Sequence, residues 1–215
     1  MRERRLLPLL LRRARTAVYV RYVVLRRELE LEPPERAAPA GVDVRELTAG
    51  EVERAYGRLR PDARASELSG RLGAGHRCFG AWSDGTLVAA VWIRFDAIWL
   101  PFSARPLPLP PGAAYAYDSY TRPDQRRRGV ATFRSRVTCR RLRELGYTSA
   151  YAFVLGGDTP ALRAATAAGY RPAGELRWLH LGSLGIEQSL DGEGRGTWSL
   201  RFARREPELP HGRAS

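Results

Sequence analysis

Lysine is absent from the 215-residue sequence, so all 36 residues counted as lysine or arginine are arginines. This absence, together with many alanines, glycines and prolines, fits GC-rich codon usage, and the net charge of +13 is therefore discounted as a sign of function. The charge still creates a field that attracts phosphates, acidic carrier proteins, nucleic acids or anionic lipids. With 44% hydrophobic and 27% charged residues, the composition predicts a soluble globular domain plus an extension.

Cysteine and histidine are also scarce. The two cysteines give no disulfide framework, which favours a cytoplasmic chain. Cys78 falls in a predicted strand and Cys139 in a predicted helix, and both are interpreted as small core or half-buried residues. The histidines have no metal-ligand spacing, so no metal site is expected. They are His76, His180 and His211.

The N-terminus lacks a long apolar run. The segment Leu6–Leu11 is short, contains Pro8 and is followed at once by arginines. Because it has neither a cleavage site of small residues nor the length of a membrane span, we expect it to remain in the mature protein.

Charge is unevenly distributed, since residues 1–28 carry nine arginines against two glutamates. A basic amphipathic helix is predicted at Met1–Arg15 and a β-branched, aromatic strand at Ala17–Leu25. The Pro/Ala-rich segment Glu28–Gly41 reads as a linker. The predicted organisation is a basic extension and linker at 1–40, a main domain at 41–204 and a tail at 205–215.

From residue 42 onward, the pattern predicts strands alternating with helices in the order β-α-α-β-β-β-α-β-α-β-β. Thr48 and Glu51 form a capping box, and Asp84-Gly85 marks a hairpin turn. The Pro-rich stretch Trp99–Gly112 is interpreted as an irregular loop. The order favours an α/β (α+β) fold with a mixed sheet.

The stretch RRRGVA, Arg126–Ala131, joins a predicted strand directly to a predicted helix. Glycine allows close backbone approach, and a helix N-terminus offers free N–H groups and a positive dipole end, so the segment could hold a pyrophosphate. A solvated basic turn is the alternative, and the arginine triplet alone leaves both open. The loop matches neither a Walker loop nor a dinucleotide fingerprint.

The segment Arg126–Ala131 resembles the Arg/Gln-x-x-Gly-x-Gly/Ala signature of the GNAT superfamily of acyl-CoA N-acyltransferases. Before it, TRPDQR stands where that family typically shows Val-x-Pro-x-x-Arg. After it, DTPALRAATAAGYRPAGE is similar to the family's Asn-x-x-Ala … Gly-Phe-x-x-x-Gly-Glu, with Asp158 in place of the asparagine. VDVRELTAGEVERAY resembles the family's opening strand and helix, so the resemblance covers residues 41–204.

The resemblance implies a mostly antiparallel mixed sheet flanked by helices, with an extra N-terminal helix and strand. It also implies acetyl-CoA or another acyl-CoA as co-substrate and no metal. The loop would hold the CoA pyrophosphate, and the strand before it would pair with the pantetheine arm. The implied CoA-binding residues are Tyr120, Thr121, Arg126, Arg127, Arg128, Gly129, Val130, Ala131 and Asp158.

The strand YAYDSYT resembles the polyamine-type members of the family and supplies the candidate catalytic residues Tyr117, Asp118 and Tyr120. Asp118 is the first candidate for binding or deprotonating the acceptor amine. By strand parity, Tyr115 and Tyr117 are expected on the opposite face, where they could line the acceptor pocket. The alternatives are core packing for the tyrosines and a structural, hydrogen-bonded role for the carboxylate.

One position departs from the family pattern. Many members carry a tyrosine that protonates the leaving thiolate, but Ala165 occupies that place. The substitutes considered are Ser119, Tyr120 and His180, and release of the thiolate without a donor is the alternative.

The sequence therefore predicts an N-acyltransferase that moves an acyl group, in first place acetyl, from acyl-CoA to a primary amine of a small molecule or peptide. One alternative is long-chain transfer from acyl-CoA or an acyl carrier protein, whose acidic surface suits residues 1–28. An alternative of another class is a basic protein that binds nucleic acid or an anionic membrane surface. Nucleic acid is disfavoured because no recognised binding motif is present.

Overall fold

The computed structural model describes residues 17–31, 37–100, 105–181 and 184–202. Helix α1 is one irregular segment made of Ala49–Glu51, a wider turn at Val52–Tyr56 and Gly57–Leu59. The other helices are α2 Ala65–Gly73, α3 Val130–Glu144 and α4 Thr159–Ala167. The strands are β1 Ala17–Glu28, β2 Val42–Glu46, β3 Arg77–Ser83, β4 Thr86–Arg94, β5 Ala97–Leu100, β6 Arg105–Pro108, β7 Ala113–Thr121, β8 Ser149–Leu155, β9 Arg171–Leu181, β10 Leu184–Asp191 and β11 Gly196–Phe202.

Within the described residues, nine strands form one sheet in the order β11-β10-β9-β1-β8-β7-β4-β3-β2. Neighbouring strands are antiparallel except for β7 and β8, which run parallel. The mixed, mostly antiparallel sheet with four flanking helices confirms the predicted fold class. Among these helices, none has both the length and the apolarity needed to cross a membrane.

The two faces of the sheet have separate cores. Helices α1 and α2 bury Tyr56 and Leu68 against Trp92 of β4. On the opposite face, α3 contributes Cys139 and Leu142 to a cluster with strands β1, β3, β4, β7 and β8. Both free cysteines are buried, as the sequence predicted.

Strand β1 lies inside the sheet. It pairs with β8 from Tyr22 to Glu28 and with β9 from Ala17 to Arg26, so both of its edges are occupied. The predicted strand is therefore confirmed, and this part of the predicted extension belongs to the same sheet as the main domain. The helix predicted at Met1–Arg15 lies outside the described residues, and the domain limits remain a prediction.

Two predictions of irregular structure are wrong. The Pro-rich stretch forms the two-stranded ribbon β5–β6, in which Trp99 pairs with Pro106. Proline is compatible with such a ribbon because the outer edges of its strands need no ladder hydrogen bond. No strand was predicted at β10, because its glycine and its polar residues weaken the strand pattern, yet it pairs with both β9 and β11.

Local turn and cap signals behave as predicted. Thr48 and Glu51 form the capping box that starts α1. Asp84 and Gly85, with φ of 48° and 71°, form the β3–β4 turn, and Gly146 follows α3 with φ of 89°. These positions are set by short-range chemistry, which is why sequence reasoning found them.

Candidate active site

A cleft opens between the parallel strands β7 and β8. Their pairing ends at Ala116 and Ala152. Beyond this point, β7 stays paired with β4 as far as Thr121, while β8 stays paired with β1 as far as Leu155. Each strand is thus held by its other neighbour, and beyond Ala116 and Ala152 no backbone pairing joins β7 to β8 in the described part of the chain.

A bulge in β7 lies at this cleft. Tyr117 pairs with Trp92 and Tyr120 with Ala90, so the register between β7 and β4 shifts by one residue there. Asp118 within the bulge has a left-handed φ of 46°. A bulge of this kind interrupts the alternation of side chains along a strand.

Because of this bulge, the prediction that Tyr117 and Asp118 lie on opposite faces of β7 is wrong. Asp118 and Tyr117 both lie on the α1–α2 face, since Asp118 bonds to Tyr56 of α1 and Tyr117 packs on the Trp92 cluster. Tyr115 does stack on Tyr117, with ring centroids 5.9 Å apart, as their shared face predicted.

Asp118 is enclosed by three donors. Oδ1 accepts from Arg60 Nη1 at 2.8 Å, while Oδ2 accepts from Arg71 Nη1 at 2.6 Å and Tyr56 Oη at 2.8 Å. Burial would raise the pKa of Asp118, but the hydrogen bond and charge of Arg71, with the charge of Arg60, lower it below its ordinary value. The carboxylate is therefore ionised and weakly basic, which fits the structural alternative.

The two arginines also contact the aromatic candidates. Arg60 lies 4.9 Å from the ring centroid of Tyr120, and Arg71 lies 5.2 Å from those of Tyr117 and Trp92. Each arginine also donates to a carboxylate nearby in the sequence, Arg60 to Asp62 and Arg71 to Glu67, which restrains the guanidinium planes. The cluster thus orients the tyrosines beside the cleft.

His76 joins the site although sequence reasoning assigned it no role. Its Nδ1 lies 2.7 Å from the hydroxyl of Tyr117. Burial, assisted by the charge of Arg94, lowers the pKa of His76, so the ring is neutral at neutral pH and can accept a proton. Burial raises the pKa of Tyr117, which keeps the phenol protonated.

The proximity of His76 to Tyr117 could have been predicted only from the pairing of the strands. Cys78, Trp92 and Tyr117 lie side by side on β3, β4 and β7, and His76 directly precedes β3. In the sequence it is 41 residues away from Tyr117.

The arginine-glycine loop begins where β7 ends. A short turn at Pro123–Gln125 leads into the loop, and the three arginines of the motif are exposed. Arg127 and Gly129 have left-handed φ values of 63° and 80°, and Gly129 is the N-cap of α3. Alternating left-handed and ordinary residues ahead of a helix direct backbone N–H groups into one concavity, which is suited to a phosphate.

The backbone conformation explains the glycine at position 129. A Cβ built there would meet only Pro39 Cγ, at 3.8 Å, so space is not limiting. The positive φ is the constraint, because most side chains rarely adopt it.

The other wall of the cleft is formed where β8 ends. Asp158 caps α4, since its side chain accepts a hydrogen bond from the N–H of Ala161 at 3.0 Å. Ala165 lies on α4 and carries no hydroxyl.

His180 lies away from the site. It is buried on β9 and stacked on Trp178, and strands β1 and β8 lie between it and β7.

The mixed sheet, with its one parallel pair of strands, has the fold of the GNAT acetyltransferase family. Residues 42–170, more than half of the chain, match the model of the acetyltransferase (GNAT) family. The chain belongs to this family, and no match is found among curated proteins.

The fold of this chain is similar to that of several solved structures. A GCN5-related N-acetyltransferase from Sphaerobacter thermophilus matches with a TM-score of 0.58 and 19% identity over 84% of this chain and 57% of its own. A GCN5-related N-acetyltransferase from Kribbella flavida matches with a TM-score of 0.53 and 22% identity, over 76% of this chain and 59% of its own. A tandem GNAT protein from the clavulanic acid biosynthesis pathway matches with a TM-score of 0.51 and 18% identity, over 80% of this chain and 56% of its own. This chain therefore spans little more than half the length of these structures.

Proposed function

We propose that the protein is an acyl-CoA-dependent N-acyltransferase, with acetyl-CoA as the first candidate donor and a primary amine as the acceptor. The observation that carries the proposal is the juxtaposition of the β7–β8 cleft with the loop Arg126–Ala131 at the end of β7. Family membership supports acyl transfer in general.

The donor would be held on the α3 side of the sheet. The left-handed loop and the N-terminus of α3 would bind the pyrophosphate, and the exposed arginines Arg126, Arg127 and Arg128 would add charge. The backbone of Tyr120 and Thr121 would pair with the pantetheine arm along the free edge of β7. Asp158 would contribute by fixing the start of α4 on the opposite wall.

The acceptor would enter from the α1–α2 side. An amine must lose its positive charge before it attacks a thioester, and the Tyr117–His76 pair offers a neutral base within one hydrogen bond of the cleft. Asp118 would act indirectly, by holding Arg60 and Arg71 against Tyr120 and Tyr117. Proton removal is therefore assigned to His76 through Tyr117 rather than to the carboxylate.

The donor site is tested by a charge placed in the loop. We expect Gly129→Asp to weaken CoA binding at least about tenfold, because it strains the left-handed backbone and sets an anion beside the pyrophosphate. Isothermal titration calorimetry with CoA, acetyl-CoA and a long-chain acyl-CoA measures the loss and ranks the donors.

Gly146→Asp is the matched control. Gly146 also has a left-handed φ and open surroundings but lies at the far end of α3. Its substitution therefore imposes similar strain away from the loop and should leave CoA affinity unchanged. Undiminished CoA affinity in folded Gly129→Asp would refute the assignment of the loop.

The base is tested by the pH dependence of the rate. Because His76 accepts a proton only when neutral, and its pKa lies below the ordinary value of 6.5, activity should be preserved at neutral pH and fall at more acidic pH. We expect His76→Gln and Tyr117→Phe each to slow turnover and to remove this acidic limb from the profile of kcat against pH. An acidic limb that persists unchanged in His76→Gln would exclude the relay.

A further inference from the structure

Arg134 of α3 is a buried cation with unusual partners. Its side chain reaches the β7 bulge from the α3 side, and the residue is 3% exposed. Nη1 donates to the carbonyl oxygens of Ala90 at 2.6 Å and Tyr120 at 2.9 Å, while Nη2 donates to Ser119 Oγ at 2.6 Å. Its buried Nε has no hydrogen-bond partner, and no carboxylate among the described residues pairs with it.

This arrangement costs stability. A buried charge without a counter-ion is unfavourable, and the three hydrogen bonds to neutral oxygens offset only part of that cost. Burial lowers the pKa of Arg134 to about 10, so the guanidinium still carries its charge at neutral pH. A costly buried charge at the edge of a cleft is a feature typical of functional sites.

Ser119 connects this charge to the cleft. It is exposed, although its oxygen accepts a hydrogen bond from the buried guanidinium. It lies within the β7 bulge, on the α3 side, where the donor loop also lies. A hydroxyl that accepts from a cation becomes a stronger donor, and the proton of Ser119 remains free to point into the cleft.

We propose that Ser119, polarised by Arg134, donates a hydrogen bond to the CoA sulfur as the thioester breaks. The inference rests on the proposed function and assigns Ser119 a catalytic role and Arg134 a positioning role. On the opposite wall, Ala165 provides no hydroxyl for this task.

The proposed acyl transfer from the CoA thioester to the amine conserves atoms and electrons. The neutral amine attacks the carbonyl carbon and forms the C–N bond. The C–S bond then breaks, and its electron pair goes to sulfur, which leaves as a thiolate held by the Ser119 O–H. The surplus proton of the amide nitrogen leaves towards Tyr117 and His76, and the thiolate is protonated by solvent on release.

The pKa of the CoA thiol bound to the enzyme provides a test independent of turnover. Thiolate absorbance during a pH titration should show a thiol pKa at least about one unit below that of free CoA in the wild-type complex. Ser119→Ala and Arg134→Met should each remove most of this shift, and the double variant should add little, because the two groups act in series. Ser119→Thr keeps the hydroxyl and should retain the shift.

Stability measurements separate this role from a structural one. We expect Arg134→Met to unfold at a temperature close to that of the wild type, because the loss of three hydrogen bonds opposes the relief of the buried charge, while turnover falls at least about tenfold. Arg134→Lys should restore part of the rate because it restores the charge. A lower unfolding temperature for Arg134→Met, with the bound thiol pKa unchanged, would show a purely structural residue.

The outcomes also separate this inference from the proposed function. CoA that binds with the same thiol pKa in wild type and Ser119→Ala overturns the role of Ser119 and leaves the donor site standing. A wild-type protein that binds no CoA overturns both.

Discussion

A chain that begins at residue 41 is expected not to reach the native fold. This truncation removes β1, and with it both the β1–β8 and β1–β9 ladders. It also removes Leu25 and Leu29, which are 1% and 2% exposed. Each such side chain contributes about 1.5–3 kcal/mol by burial, and the total stability of a domain is only about 5–15 kcal/mol.

The loss extends beyond burial because β1 joins two parts of the sheet. Without it, β9 to β11 have no strand connecting them to β8, and the wall of the cleft loses its support. We expect the truncated chain to show no cooperative thermal transition by circular dichroism and to aggregate on size-exclusion chromatography.

Deleting residues 1–15 is the matched control, since it leaves β1 entire. We expect that variant to keep a folded core and its CoA affinity, and to lose any partner contact that the basic segment makes. If the chain from residue 41 unfolds cooperatively near the wild-type temperature, the placement of β1 between β8 and β9 is wrong. If the 1–15 deletion fails to fold, that segment belongs to the core.

Asp118→Asn is expected to lower the free energy of unfolding by about 3 kcal/mol, the lower end of the range for breaking a buried ion pair. The substitution keeps the shape of the side chain but leaves Arg60 and Arg71, each with a side chain only 16% exposed, without its charge. Chemical denaturation followed by fluorescence measures the change. Turnover should fall as well, because Tyr117 and Tyr120 lose the arginines that orient them.

The pH dependence of stability gives a second measurement. Asp118 has a lowered pKa in the folded state, so its contribution is present above the unfolded pKa of about 3.9 and is lost as pH falls through the folded value. The difference in free energy of unfolding between the wild type and Asp118→Asn should therefore become smaller at acidic pH.

Asp96→Asn is the matched control for Asp118. Asp96 also pairs with an arginine, since both of its oxygens accept from Arg94, but its side chain is 67% exposed. Its loss should therefore cost less than about 1 kcal/mol. A stable Asp118→Asn variant with greatly reduced turnover would return the carboxylate to the role of catalytic base. A stable and fully active variant would remove it from the site.

The distance between residues along the chain explains which parts of the site were predictable. The proposed donor loop is contiguous: Arg126–Ala131 is a loop and a helix start, and its proposed chemistry depends on a backbone conformation that Gly129 makes accessible. His76 lies 41 residues from Tyr117 of β7, and Arg134 lies 15 residues from Ser119, on the helix that follows the loop. Only strand pairing and helix packing bring such residues together.

The bulge in β7 limited the prediction at the residue of greatest interest. Strand parity assumes an unbroken alternation, and the left-handed Asp118 interrupts it, so Tyr117 and Asp118 lie on one face. Neither composition nor periodicity signals a bulge, because the side chains that contact it come from other elements of the fold, among them Arg134 on one face of the sheet and Arg71 on the other.

Short-range chemistry in the chain thus specifies the strand-loop-helix unit of the donor site, the helix caps, the hairpin turn and the alternating order that leads to a mixed sheet. The fold decides that β1 separates β8 from β9, that Asp118 accepts hydrogen bonds from two arginines and a tyrosine, and that His76 contacts Tyr117 while Arg134 contacts Ser119. The physical reason is that sheet register and burial are collective: the partner of each strand and the pKa of each group depend on residues that are distant in sequence.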